Sequence, residues 1–98
     1  LFPYNDALPI CLLTLAPGVG KIGRMAVIAA LRGSQVGRRM LDALVDAGRG
    51  RGLRELRLHA QASAIGFYLR AGFVARGAPF EEAGIAHQEM VRTLSPAA

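Results

Sequence analysis

The stretch that decides the fold is Gly23–Arg51, GRMAVIAALRGSQVGRRMLDALVDAGRGR. It opens with an apolar segment typical of a buried strand, Met25–Ile28, and continues into a turn rich in glycine and arginine, Arg32–Gly37. Apolar residues then recur at the spacing of a helix face packed on a sheet: Val36, Met40, Leu41, Leu44 and Val45. A turn that opens a helix presents unpaired backbone N–H groups at the positive end of the helix dipole, which favours binding of an anion such as phosphate.

The composition of this turn fits a phosphate site but does not require one. Its small residues Gly33, Ser34 and Gly37 allow a ligand to approach the main chain closely. Positive charge at the same point comes from three arginines: Arg32, Arg38 and Arg39. A plain strand–turn–helix connection with solvated arginines explains the same residues, so both interpretations stay open from this stretch alone.

The composition of the whole chain predicts one folded domain. Its 98 residues are 52% hydrophobic with a mean hydropathy of +0.30, which argues against a disordered chain. The net charge of +5 comes from 12 basic and 7 acidic residues. There is no basic run with interleaved aromatics, so we expect no nucleic-acid partner, whereas a polyphosphate ligand is compatible with the charge.

The cysteine count and the lengths of the apolar runs indicate the cellular compartment of the protein. The single cysteine, Cys11, excludes an intrachain disulfide and favours a reducing, cytoplasmic setting. The apolar run Ile10–Leu15 is much shorter than the roughly 20 residues of a membrane-spanning helix. No basic segment precedes this run, so no signal peptide is predicted. We therefore expect a cytoplasmic protein without a membrane partner.

The remaining segments alternate between strands and helices. Predicted strands are Ile10–Leu15, Lys21–Ala29, Leu53–Ala60, Phe73–Arg76 and Ala86–Leu94; a short helix capped by Ser63 runs to Arg70; Ala16–Gly20 is a turn and Ala78–Gly84 a loop. The segment GVGKIG, residues 18–23, matches the dinucleotide-binding pattern G-x-G-x-x-G, but the candidate acidic residue, Asp42, lies in a helical pattern instead of at the end of a strand. The order of elements predicts an α/β (α+β) fold.

Two motifs resemble the GNAT superfamily of N-acetyltransferases. Arg32–Gly37, RGSQVG, matches that family's R/Q-x-x-G-x-G/A element, and Ala64–Phe73, AIGFYLRAGF, resembles its A-x-x-F-Y-x-x-x-G-F element. The tail Phe80–Met90, FEEAGIAHQEM, resembles a bacterial subgroup. The resemblance implies a mixed, mostly antiparallel sheet flanked by helices. It also implies a single domain over residues 1–98, with residues 1–20 as a divergent arm and first strand and residues 21–94 as the acetyl-CoA-binding core.

The resemblance implies a role for each site residue. Backbone groups of Met25, Ala26 and Val27 would pair with the pantetheine arm, and Gln61 and Phe67 would line the CoA channel. The turn Arg32–Gly37 would hold the pyrophosphate together with backbone N–H groups of Gln35, Val36, Gly37, Arg38 and Arg39. Tyr68 would protonate the departing thiolate. The implied reaction transfers acetyl from acetyl-CoA to a primary amine by direct attack in a ternary complex; the alternative is a non-catalytic remnant that binds CoA or another protein.

The chain departs from the family pattern in two respects. Gln35 stands where the family usually has glycine, and the family's first strand, first two helices and second strand have no counterpart. We therefore expect an N-terminally truncated domain with an unpaired sheet edge and a partly uncovered apolar face. Such surfaces favour self-association, so the sequence predicts a homodimer with residues 1–20 in its interface.

The general base is left open by the sequence. His59 and His87 are candidates because neutral imidazole titrates near working pH. Glu81, Glu82 and Glu89 are also available as a base, and are expected to be mostly surface charge. No histidines or carboxylates have metal-ligand spacing, so no metal is predicted.

Overall fold

A computed structural model describes residues 11–23 and 35–94, which form one layered α/β unit. The strands are β1 (Cys11–Ala16), β2 (Val19–Gly23), β3 (Glu55–Gln61), β4 (Val74–Ala75), β5 (Phe80–Glu82) and β6 (Ile85–Thr93). The helices are α1 (Gln35–Gly50) and α2 (Ile65–Arg70), and a 3-10 turn, Ala62–Ala64, leads from β3 into α2.

The described strands form one mixed sheet in the order β1–β2–β3–β6–β4, with β5 also paired to β6. β2 and β3 are parallel, and every other pair of described strands is antiparallel. β3 pairs with residues 87–93 of β6, while β4 and β5 share the opposite edge of that strand. This arrangement confirms the predicted α/β fold with a mostly antiparallel sheet.

Both helices pack on one face of this sheet, which we call the helix face. On β3, Leu56, Leu58 and Ala60 point to it and are fully buried. α1 approaches closely enough that a Cβ atom on Gly48 would lie 3.2 Å from Cδ2 of Leu56. Other members of the same core come from both helices, from β2, from β6 and from the residue that follows β6: Ile22, Leu41, Leu44, Val45, Phe67, Tyr68, Met90 and Leu94. The alternation read from residues 53–60 is therefore confirmed.

Most element boundaries agree with the sequence prediction to within two residues. The predicted end of the short helix at Arg70 is confirmed, and Gly72, two residues later, has a φ of +90° that glycine readily adopts. Val36 was expected on the buried side of α1, but the structure leaves it 51% exposed because the helix begins at Gln35 and this first turn extends beyond the core. The predicted turn at 16–20 is shorter, since Val19 and Gly20 already pair with Glu55 and Leu56.

Two predictions around the second half of the chain were wrong. Ala78–Gly84 is not a plain loop, because it contains β5 and a two-residue turn in which Ala83 and Gly84 have φ values of 53° and 76°. Positive φ at both central residues is the geometry of a tight β-hairpin turn. Ser63 is not the cap of α2: it lies inside the 3-10 turn, and Ala64 occupies the cap position without a side-chain hydrogen bond.

Part of the predicted first half lies outside the described residues. This applies to the arm 1–9, to Met25–Ile28 and to residues 32–34 of the glycine-rich turn. The segment GVGKIG is described, and it forms a turn glycine followed by β2 instead of a dinucleotide-binding loop.

Candidate functional site

The first turn of α1 brings several backbone N–H donors together. The first N–H groups of a helix have no acceptor within the helix, and those of α1 belong to the turn that begins at Gln35. In this turn Gly37 is buried, whereas Gln35, Val36, Arg38 and Arg39 are exposed. The other residues predicted for this site, Met25, Ala26, Val27, Arg32, Gly33 and Ser34, lie outside the described residues.

Arg38 connects this turn to α2. Its Nε atom donates to Oδ1 of Asp42 at 3.0 Å, and its guanidinium also donates to the carbonyl oxygen of Arg70 at 3.4 Å. A second guanidinium, that of Arg92, donates to the carbonyl oxygen of Ala71 at 2.7 Å. Carbonyls at a helix C-terminus lack partners in their own helix and favour positive charge. These two arginines therefore fix the end of α2 against α1 and β6.

α2 places its two aromatic residues in the core. Tyr68 is fully buried, and its ring packs edge-on against Phe67 at 5.1 Å and against Phe73 at 6.1 Å between centroids. Gln61 is half-buried at the end of β3, one residue before the 3-10 turn that leads into this helix. The structure thus brings Gln61, Phe67 and Tyr68 into one strand–turn–helix unit that Arg38 joins to the start of α1.

The opposite face of the sheet, which we call the open face, carries a cluster of histidines around Glu82. Gln61 pairs with His87 and His59 with Glu89, so these side chains share a face that does not bear the helices. Nδ1 of His59 lies 3.2 Å from Oε1 of Glu82, and Nε2 of His87 lies 3.9 Å from the other oxygen of that carboxylate. Nδ1 of His87 is 2.7 Å from the carbonyl oxygen of Ile85.

Phe80 completes the cluster as its apolar member. Its ring meets His59 edge-on with centroids 5.0 Å apart and stacks on His87 at 5.9 Å with an interplanar angle of 22°. The sequence offered both histidines as separate candidates and treated Glu82 as surface charge. The signal that would have joined them is the Ala83-Gly84 turn between two short alternating segments, which indicates a hairpin.

Farther along the open face, charged side chains form a network. Glu55 contacts Arg57, and its Oε2 atom lies 3.6 Å from Arg76, which in turn donates from Nε to Oε1 of Glu89 at 3.0 Å. The hydrogen bond from Arg57, helped by the charge of Arg76, lowers the pKa of the Glu55 carboxyl. On the described strands, the face without helices therefore carries ion pairs beside apolar side chains such as Phe80, and the expected uncovered apolar face stays a prediction.

The described residues contain neither a metal-binding group of side chains nor a helix that could span a membrane. Among residues 11–23 and 35–94, no three His, Cys, Asp or Glu side chains are grouped closely enough to hold a metal ion. No helix in these ranges is long and apolar enough to cross a membrane.

Comparison with known proteins agrees with this architecture. Residues 9–94 match the acetyltransferase (GNAT) domain family. An IAA acetyltransferase from Azospirillum brasilense is 42% identical over 66 residues, which cover 64% of this chain and 42% of that protein. An acyl-CoA N-acyltransferase from Pseudomonas aeruginosa superposes with a TM-score of 0.72 at 31% identity, covering 85% of this chain and 58% of that one.

A third comparison concerns the fold alone. Rv2747 from Mycobacterium tuberculosis, solved in complex with CoA, superposes with a TM-score of 0.69 at 19% identity and covers 88% of this chain and 66% of its own. The likeness to the Pseudomonas aeruginosa protein shows that the mixed sheet and its two described helices have the acyl-CoA N-acyltransferase fold. The chain belongs to the GNAT acetyltransferase family. The match covers less than half the length of the Azospirillum brasilense protein.

Proposed function

We propose that this chain is an acetyl-CoA-dependent N-acetyltransferase domain that transfers acetyl to a primary amine by direct attack in a ternary complex. The observation that carries the proposal is the link between two elements: the first turn of α1, with its buried Gly37, is joined by Arg38 to the helix that bears Tyr68. A phosphate-binding turn and a proton donor are two of the parts that this reaction needs from the protein.

The proposed CoA site follows the helix face from α1 to β3. Backbone N–H groups from Gln35 to Arg39 would hold the pyrophosphate, together with the turn that starts at Arg32. The exposed guanidinium of Arg39 would add charge attraction, whereas that of Arg38 is shared with Asp42. Glycine at the buried position 37 supports the proposal because the missing side chain allows a ligand to approach the main chain closely.

The thioester would lie where β2 and β3 leave their common ladder. Their parallel register is recorded over Val19–Lys21 and Glu55–Arg57, and β3 continues beyond it to Gln61. The pantetheine arm would add to the sheet there by pairing with backbone groups of Met25, Ala26 and Val27, as an extra strand does. Gln61 and Phe67 would line this channel.

Tyr68 would act as the general acid. When the C–S bond breaks, the sulfur gains an electron pair, and a phenolic O–H directed at it would supply the proton. Full burial of Tyr68 is consistent with a donor that acts in a water-poor channel, and a purely structural aromatic would be buried in the same way. Substitution of Tyr68 by phenylalanine therefore tests the role of this hydroxyl.

Thiol release with a panel of primary amines tests the proposal. The folded protein should consume acetyl-CoA and release free CoA thiol only when an amine is present. Thiol release that does not depend on the amine would indicate hydrolysis, and would contradict direct transfer. Mass spectrometry of the amine should show the added acetyl group.

The second candidate is a non-catalytic remnant that binds CoA or serves as an interaction module. The observation that favours it is that Tyr68 lies fully buried between Phe67 and Phe73, as a purely structural aromatic would. A remnant would bind acetyl-CoA but show no turnover with any amine. Binding and turnover measured on the same sample therefore separate the two functions.

The proposal includes a homodimer and a cytoplasmic, bacterial setting. β1 pairs with β2 and ends the described strand order, and its residues Thr14, Leu15 and Ala16 are exposed. An uncharged edge strand favours pairing with another sheet, so residues 1–20 would contribute to the interface. Sedimentation equilibrium should show a dimer at micromolar concentration; a stable monomer would contradict this part of the proposal.

A further inference from the structure

The contacts in the open-face cluster of His59, His87, Glu82 and Phe80 determine which imidazole nitrogens carry hydrogen. The carboxylate of Glu82 accepts a hydrogen bond and does not donate one when ionised, so its contact with Nδ1 of His59 places hydrogen on Nδ1. The neutral ring of His59 then has its lone pair on Nε2. The carbonyl oxygen of Ile85 places hydrogen on Nδ1 of His87 by the same reasoning.

The position of the cluster matches the side from which an acceptor would arrive. Both helices and the start of α1 lie on the helix face, so a CoA molecule held there leaves the open face for the second substrate. His59 lies two residues before Gln61, at the end of β3 that leads into the Tyr68 helix. Its side chain is 30% exposed, which makes it accessible to a small molecule.

We propose that His59 is the general base that deprotonates the acceptor amine, and that Glu82 is the positioning residue that sets its tautomer. This inference rests on the proposed acetyl transfer. Phe80 and His87 hold the arrangement: Phe80 packs against both imidazole rings, and the Ile85 carbonyl fixes the ring of His87. The acceptor class is a primary amine that reaches the reaction as its ammonium form.

The proton balance of the reaction is complete with these groups. The ammonium gives one proton to Nε2 of His59, and the neutral nitrogen attacks the thioester carbon, so that a C–N bond forms. The C–S bond breaks with its electron pair moving to sulfur, which takes a proton from Tyr68. The second proton lost by the nitrogen restores Tyr68, and His59 returns its proton to water. The sum is amine acetylation with release of one proton.

The first test reads the tautomer of His59 without using activity. Nitrogen NMR of the imidazoles, recorded where they are neutral, should show hydrogen on Nδ1 of His59 in the wild-type protein. Glu82→Ala should return His59 to the common Nε2–H tautomer, while Glu81→Ala, a matched change at an exposed neighbour on the same strand, should leave it unchanged. A wild-type His59 that carries its hydrogen on Nε2 would overturn the proposal.

The second test uses turnover. His59→Ala should lower kcat about 100-fold or more with unchanged acetyl-CoA affinity, and added imidazole should restore part of the loss. His59→Gln, which keeps a polar side chain, should show the same loss of turnover. It replaces the alanine variant if that variant does not fold. Glu82→Ala should reduce kcat less than His59→Ala does.

The outcomes separate this inference from the proposed function. Unchanged turnover in both His59 variants would overturn the base assignment and leave acetyl transfer standing. A wild-type protein that binds acetyl-CoA but acetylates no amine would overturn it as well, and would favour the remnant. A folded protein that does not bind acetyl-CoA would overturn the proposed function and this inference together.

Discussion

The two faces of the sheet differ in the interactions that their side chains make. On the helix face, Leu56, Leu58 and Ala60 of β3 lie fully buried against the two helices. On the open face of the same strand, Glu55, Arg57 and His59 are half-buried and engaged in ion pairs and hydrogen bonds. Burial of apolar area dominates folding free energy, whereas exposed ion pairs contribute little. The helix face therefore stabilises the domain, and the open face is available for chemistry.

The largest effect is expected at Tyr68, where a core residue of the helix face is also the proposed proton donor. Tyr68→Phe keeps the ring that packs against Phe67 and Phe73, but removes the hydroxyl. Turnover should fall about 100-fold or more because only the proton transfer is lost. Acetyl-CoA affinity, measured by calorimetry, should stay within about twofold of the wild-type value. An equal fall in affinity and turnover would make Tyr68 a packing or binding residue.

Adjacent residues of β3 should differ in what they contribute to stability. Leu58→Ala removes a fully buried side chain and should lower the free energy of unfolding by about 2–5 kcal/mol. Arg57→Ala, one residue away on the open face, should cost less than about 1 kcal/mol. Urea denaturation measures both, and Leu69→Ala, at a leucine that is 51% exposed, controls for the substitution itself. Equal losses at residues 57 and 58 would contradict the division between the faces.

Crowding the first turn of α1 should weaken cofactor binding. Gly37→Val places a branched side chain at a buried position beside the proposed phosphate donors, and should raise the Kd for acetyl-CoA about tenfold, or about 1.4 kcal/mol. Gly50→Val is the matched control, because a Cβ atom on Gly50, at the other end of the same helix, would meet nothing within 4 Å. If the two variants bind acetyl-CoA alike, the phosphate does not lie at Gly37.

The smallest effect concerns pH and the open-face network. The pKa of Glu55 is lowered in the folded protein, chiefly by the hydrogen bond from Arg57. Its contribution to stability is therefore complete above the unfolded pKa of about 4.3 and is lost as pH falls through the lower folded value. Glu55→Gln should cost about 0.5–1 kcal/mol at neutral pH and nothing at a pH below the folded pKa. A difference that persists in acid would show that packing, not charge, is involved.

The buried residues of the helix face could be predicted from the sequence because the spacing of apolar residues indicates which side of a helix or strand is buried. The spacing of Leu41, Leu44 and Val45 and the alternation of Leu56, Leu58 and Ala60 both report burial directly. Val36 fits the same spacing but is exposed, since periodicity does not say where a helix extends beyond its core. β5 was missed because three residues with a Glu-Glu pair carry almost no pattern of their own.

The open face was harder to predict because its contacts are long-range. His59 and Glu82 are 23 residues apart, and only the hairpin of β5 and β6 brings the carboxylate to the imidazole. The pairing of Arg38 with the carbonyl of Arg70 spans 32 residues and likewise depends on how α1 and α2 pack. The two family motifs indicated the start of α1 and the Phe67-Tyr68 pair, but their side-chain partners became visible only in the structure.

Calorimetric titration of the folded protein with acetyl-CoA tests the central claim most directly. We predict saturable binding of one acetyl-CoA per chain, with much weaker binding of an acetylated pantetheine that lacks the diphosphate, because the first turn of α1 would then have no anion to hold. Absence of binding at millimolar acetyl-CoA, with the protein shown to be folded by circular dichroism, would contradict the claim.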